Sequence, residues 1–144
     1  MSEHLHNELE DLKKRIDDAW KLLAIEEKKK TIKALEETMQ QGDFWADQEQ
    51  ATRVAREHEE LRREVDEWSV LKEEVETLIE LSKDLEKNPD EALQKDIATQ
   101  TMRLEKQFQE LEFYLLFFFD WLFRIKIRSP VFVCILINQF IFFH

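Results

Sequence analysis

The sequence has little of what most reaction centres are built from. It contains one glycine, Gly42, one cysteine, Cys134, and two prolines, Pro89 and Pro130, in 144 residues. One glycine cannot supply a phosphate-cradling loop, a dinucleotide fingerprint or a nucleophile elbow, each of which needs backbone positions free of a Cβ. It also leaves no material for the many tight turns of an all-β domain. A lone cysteine makes no internal disulfide and no thiolate cluster, so nothing points to secretion. Positive charge is short as well. Lys and Arg number 21 against 32 Asp and Glu, a net charge of −11, which is a poor basis for direct, unaided nucleic-acid binding.

What is present divides sharply near Phe113. Residues 1–112 carry 31 acids and 18 bases, a net of −13, and all 22 glutamates of the chain. Residues 113–144 carry one acid (Asp120) and three bases (Arg124, Lys126, Arg128), with nine of the eleven phenylalanines. Of those 32 residues 23 are apolar, and none is Ala, Gly or Glu. Two such compositions seldom belong to one folded unit, so each is read separately.

The acidic part has helical periodicity. Leu5, Leu9, Leu12, Ile16, Ala19 and Leu23 recur at 4-3-4-3-4 spacing, a heptad seam that Trp20 and Leu22 widen. A second run places Ile25, Ile32, Leu35 and Met39 on one face, and Gly42 follows where a helix C′ residue tolerating positive φ is expected. The third run is Ala51, Val54, His58, Leu61, Val65, Trp68, Leu71, Val75, Leu78 and Leu85, opening at Asp47 as N-cap with Gln50 in capping-box relation. A helix over 47–86 is roughly 60 Å long. Asn88, Pro89, Asp90 and Glu91 then read as an N-cap, a proline at N1 and two first-turn acids. Leu93, Ile97, Leu104, Phe108, Leu111 and Leu115 form the fourth run. The break near residues 22–26 has neither Gly nor Pro. Short links between amphipathic helices favour antiparallel neighbours. The expectation is all-α: an elongated antiparallel bundle of about four helices with the third as its spine. Gly42 and Pro89 oppose the alternative, one unbroken coiled coil that dimerises.

No catalytic, cofactor-binding or metal constellation appears. His4 and His6, two residues apart near the terminus, read as solvated histidines rather than a metal pair. His58 falls on the seam and reads as a core-edge histidine satisfied by Glu57 or Glu60, with no Ser or Cys spaced to serve as a nucleophile. The carboxylate pairs Glu26-Glu27, Glu36-Glu37, Glu59-Glu60 and Glu73-Glu74 alternate with bases, the pattern of a solvated helix face. Lys28-Lys29-Lys30 could touch a phosphate backbone, but three lysines in an acidic helix make a weak patch. Phe44 and Trp45 read as a hydrophobic staple that plugs the bundle end while Asp47 caps the next helix.

The run Asp43-Phe44-Trp45-Ala46-Asp47-Gln48-Glu49-Gln50-Ala51 resembles the segment joining the second and third helices in the N-terminal domain of the bacterial class I peptide chain release factors, on the release factor 2 side of that family. Leu9, Leu12 and Ile16 upstream, Lys29, Leu35 and Met39 in the second helix, and Leu61, Val65, Trp68, Leu78-Ile79-Glu80-Leu81, Leu104, Leu111-Glu112-Phe113 and Leu115-Leu116 downstream agree with it, over about residues 5–117. The resemblance implies a role in translation termination, in the cytoplasm, with the ribosome as partner. In that family a four-helix domain precedes a superdomain that reads the stop codon and carries a Gly-Gly-Gln loop for peptidyl-tRNA hydrolysis. The helical domain does neither and is associated with the factor-binding side of the ribosome and with the recycling GTPase.

The sequence departs from the family after Leu115-Leu116-Phe117, where a Ser-Gly turn and the catalytic superdomain are expected. Phe118-Phe119-Asp120-Trp121 follows instead, with no Gly-Gly-Gln and no Ser-Pro-Phe-type tripeptide; Ser129-Pro130-Val131 lacks the context. No family catalytic residue carries over. The expectation is a release-factor-like helical domain over 1–117, truncated and inactive by itself, followed by an atypical apolar tail over 118–144. AT-rich DNA read out of frame yields such residues, and 14 of the 32 from Phe113 on are Phe or Ile. The alternative is an acidic coiled-coil scaffold anchored to a membrane by the tail. Asp120, Arg124 and Lys126 interrupt Phe113–Ile127, and Val131–Phe143 falls short of the ~18–20 apolar residues a span needs. The out-of-frame reading is therefore preferred. Leu111, Leu115, Phe118 and Leu122 also continue the period of the fourth helix.

Overall fold

The structure, a computed structural model, describes the backbone of residues 2–126 and the side-chain surroundings of residues 3–117. It is all-α: helices α1 (Ser2–Leu22), α2 (Ile25–Met39), α3 (Gln48–Lys87) and α4 (Glu91–Lys126), with a short 3-10 turn at Phe44–Ala46 and no strand among the described residues. The chain forms two compact units. One comprises the chain up to Leu23 with Glu67–Tyr114; the other comprises Ala24–Asp66 with the end of α4 from Leu115 on.

The first unit is a three-helix bundle with a dry core. The α1 seam is buried at Leu5, Leu9, Leu12, Ile16 and Ala19. It faces Trp68, Leu71, Val75, Leu78, Ile79 and Leu85 of α3 and Ile97, Leu104 and Phe108 of α4, all buried. Trp68 and Phe108 meet edge to face at 6.2 Å. Ser82 and Thr101 are the buried polar side chains, and each donates its hydroxyl proton to a carbonyl of its own helix, Ile79 and Ile97. That gives each hydroxyl proton a partner within its own helix. The direction of packing follows from the ion pairs. Lys13 meets Glu76 and Asp17 meets Lys72, so α1 runs antiparallel to α3; Glu74 meets Arg103 while Trp68 meets Phe108, so α4 does too.

The second unit pairs α2 with the first half of α3, also antiparallel, since Lys28 meets Glu64 while Glu36 meets His58. Its buried apolar residues are Ile25, Phe44, Ala51, Leu61 and Val65. Ile32, Leu35 and Met39 of α2 and Val54 of α3 are half-buried.

The helix ends depart from expectation in three places. Gly42 is not at positive φ, and α2 ends on Gln40 in ordinary right-handed geometry, its N–H bonded to the Glu36 carbonyl. The left-handed residue is instead Ala24, φ 52° and ψ 45°, which turns the chain between α1 and α2 without Gly or Pro. Its carbonyl accepts from Glu27 and Lys28, starting α2 at once. At the start of α4 the cap is Asp90, not Asn88: its Oδ1 accepts from Ala92 and Leu93 at 2.9 and 3.1 Å, and Pro89 lies outside the helix. Asp47 caps α3 as expected, accepting from Glu49 and Gln50 at 3.1 Å. Leu22, expected in the apolar stripe, is 60% exposed.

Helix α4 continues through the composition break to Lys126, as the period of Leu111, Leu115, Phe118 and Leu122 requires. No helix among the described residues is long and apolar enough to cross a membrane. Residues 127–144, including Ser129-Pro130-Val131 and most of the apolar tail, lie outside the described residues.

Two substitutions test this backbone reading by urea unfolding. A left-handed alanine costs roughly 1–2 kcal/mol, and glycine adds about 0.4–1 kcal/mol of unfolded-chain entropy, so Ala24→Gly stabilises by about 0.5–1 kcal/mol. A Cβ at Gly42 meets nothing within 4 Å, so Gly42→Ala stabilises by about 0.4–1 kcal/mol. Destabilisation by Gly42→Ala would contradict the right-handed geometry described.

Candidate interaction surfaces

The residues that the sequence marks for chemistry are mostly held in structural pairs. Lys28 donates to Glu64 Oε1 at 2.7 Å across the α2–α3 interface, while Lys29 and Lys30 pair with Glu26 and Glu27 one turn away, at 3.2 and 2.8 Å. The basic run is thus matched acid for base and presents no block of free positive charge to a phosphate backbone. The carboxylate pairs behave similarly: Glu60 meets Arg56 on its own helix, whereas Glu36 and Glu74 reach across to His58 and Arg103.

The histidines are more engaged than their spacing suggests. His4 is exposed and lies 3.3 Å from Glu8. His6, read from sequence as solvated, is largely covered, with Nδ1 2.8 Å from Ser82 Oγ and Nε2 3.8 Å from Glu10. The arrangement imitates a Ser-His-acid triad, but the chemistry does not follow. The Ser82 hydroxyl proton goes to the Ile79 carbonyl at 2.7 Å, so Oγ accepts from His6 Nδ1–H. Ser82 is also 1% exposed. An oxygen without a proton aimed at the base, and closed to substrate, is no activated nucleophile. His58 is covered on the seam as expected, but its partner is Glu36 of α2 at 3.1 Å, not Glu57 or Glu60. Periodicity identifies which residues face a neighbouring helix, not which neighbour that is. No cluster of three or more metal-ligating side chains occurs among the described residues.

The strongest electrostatic feature carries no motif. Arg15 of α1 forks onto Glu105 of α4, Nη1 to Oε1 at 2.9 Å and Nη2 to Oε2 at 2.6 Å, with its guanidinium carbon 5.2 Å from the Phe108 ring centroid. Asp11 Oδ2 lies 3.1 Å from Arg15 Nε, close enough for an ion pair although the bond geometry is not met. Those two hydrogen bonds hold the Glu105 carboxyl below the usual range, against partial burial, which pushes it up. The same contact raises Arg15. Glu57, in contrast, is pushed up by burial, against the nearby Arg53. Lys72 ion-pairs with Asp17 at 2.7 Å and lies 4.8 Å from the Trp20 ring. Lys13 and Arg15 flank the α1 seam, the positions from which long side chains reach a partner helix. That was the available sequence signal, although it does not name the partner.

Among the described residues, aromatic side chains stand open to solvent at the turn before α3 and on α4. Trp45 stands 61% exposed against Phe44, their rings edge to face at 4.9 Å, so Phe44 plugs the core while Trp45 does not. On α4, Phe113, Tyr114, Leu116 and Phe117 are 62–72% exposed.

The described residues thus define an acidic all-helical fold with exposed aromatics in the turn before α3 and on α4. The chain belongs to the PCRF-domain family, whose model matches residues 28–119, from the first turns of α2 into α4. Its relatives include peptide chain release factor 2 of Exiguobacterium sp., 33% identical over 115 residues, covering 78% of this chain and 31% of that protein. The corresponding factor of Thermosipho melanesiensis is 34% identical over 62 residues, 43% of this chain and 17% of that protein. That of Petrotoga mobilis is 30% identical over 79 residues, 53% and 22%. The chain therefore spans under a third of the length of these relatives. No solved structure gives a significant match.

The Arg15–Glu105 pair gives a pH prediction. A carboxyl lowered in the folded state contributes stability above its unfolded pKa, about 4.3, that is lost as pH falls through the folded value. The stability difference between the wild type and Glu105→Gln therefore shrinks below about pH 4.3. At neutral pH a double-mutant cycle of Arg15→Ala and Glu105→Ala yields a coupling of about 1 kcal/mol, the upper end for part-exposed pairs. A coupling near zero would reduce the fork to a solvated contact.

Proposed function

We propose that this chain acts in translation termination, as the N-terminal ribosome- and factor-contacting domain of a release factor 2-like protein in the cytoplasm. The observation that carries the reading is the family match over residues 28–119, which takes in all but the first turn of α2, the Phe44-Trp45 turn, α3 and most of α4. In this reading the domain supplies contact, and codon reading and hydrolysis belong to parts that the sequence does not hold. With one glycine it contains no Gly-Gly-Gln run. Residues 1–112, at −13, disfavour approach to bare RNA. Contact with a ribosome is therefore expected through protein surfaces, and the exposed Trp45 and the α4 aromatics are suited to it, since aromatic side chains recur as interface anchors.

Pelleting of the purified chain with ribosomes through a sucrose cushion tests the contact. The expected result is co-sedimentation, with no peptide release from ribosomes programmed with a stop codon. Failure to pellet at low salt would remove the contact, and peptide release by the chain would remove the inactivity. Recovery in membranes that withstands carbonate extraction would favour an anchored scaffold instead.

A further inference from the structure

Helix α2 is held less deeply than the helix before it. On α1 the seam residues Leu9, Leu12 and Ile16 are 0% exposed, and Leu5 and Ala19 are also buried. On α2 the buried residue is Ile25, at its first position; Ile32, Leu35 and Met39 along the rest of its apolar face are half-buried. Its polar cross-helix ties to α3 are the Lys28–Glu64 ion pair and the 3.1 Å hydrogen-bond contact between Glu36 and His58. Lys29–Glu26 and Lys30–Glu27 lie within α2 and persist whether or not it is docked. At its N-terminal end α2 is joined to α1 through Leu23 and the left-handed Ala24, a conformation that a residue with a Cβ leaves readily when its surroundings release it.

Sub-global openings are drawn from elements with little apolar burial. We infer that residues 25–39 open from α3 as one element hinged at Ala24, while the helices of the first unit stay packed. The α2–α3 hairpin thus has a closed and an open form, and the Lys28–Glu64 and Glu36–His58 contacts help to set the balance between them. Opening uncovers Leu61 and Val65 of α3 together with the apolar face of α2. The inference does not depend on the role proposed above.

Amide hydrogen exchange of the full chain tests it. The amides of Glu27–Met39 are expected to exchange about tenfold or more faster, relative to their unstructured rates, than those of Leu9–Ala19. Lys28→Gln with Glu36→Gln widens this gap several-fold. Lys30→Gln, which removes a pair internal to α2, leaves the gap unchanged. Equal protection of α1 and α2 in the wild type would overturn the inference. So would a paired variant that accelerates exchange uniformly along the chain, because the opening would then be global.

Discussion

A helix of forty residues with an apolar stripe along its length must have that stripe covered, and the described structure is organised around meeting this need for α3. Residues 68–85 of α3 receive two helices, α1 and α4, and their stripe is dry. Residues 51–65 pair with α2, where Ala51, Leu61 and Val65 are buried while Val54 stays half-covered. The hydrophobic term scales with area removed from water. The described apolar residues of this one continuous helix are covered to different depths, Leu71 and Val75 fully and Val54 only in part.

The strong acidity is handled by distribution. Many acids meet a base at i,i+3 or i,i+4 on their own helix, contacts worth little individually. A smaller set crosses between helices: Glu76, Glu105, Asp17, Glu74 and Glu64 each face a Lys or Arg on another element. These crossings contribute more to register than to stability, since a helix shifted by one turn would leave several charges facing the wrong partner. The fork of Arg15 on Glu105 is the most constrained of them, because a planar guanidinium accepts few other geometries.

Much of this was legible in the sequence, and the misses have a common origin. The seams of α1 and α3 read correctly because burial on one face imposes a period that local residues cannot imitate by chance. Asp47 was legible as a cap because a side-chain acceptor two or three residues before orphan amides is a local device. Gly42 misled for the complementary reason. Glycine permits positive φ but does not require it, and the chain turns instead at Ala24, whose carbonyl starts α2 by accepting from Glu27 and Lys28. Asp90 displaced Asn88 because both are good caps, and the choice depends on where the helix axis must begin. Partners were not legible at all: His6 with Ser82, His58 with Glu36 and Arg15 with Glu105 are 76, 22 and 90 residues apart. The family, by contrast, was readable from the turn at Asp43–Ala51, whose aromatic pair and cap are set by neighbours in sequence.

Those separations bear on how the chain is made. Synthesis runs from the N-terminus at roughly 5–20 residues per second, so α1 leaves the exit tunnel first. Its native surroundings do not exist until Ile97, Leu104 and Phe108 have followed it. The α2–α3 pair, closed by contacts within a few tens of residues, can assemble in the meantime. The element born first is thus among the last to be buried, and its leucine seam waits several seconds in a form that a chaperone, or another nascent chain, can reach.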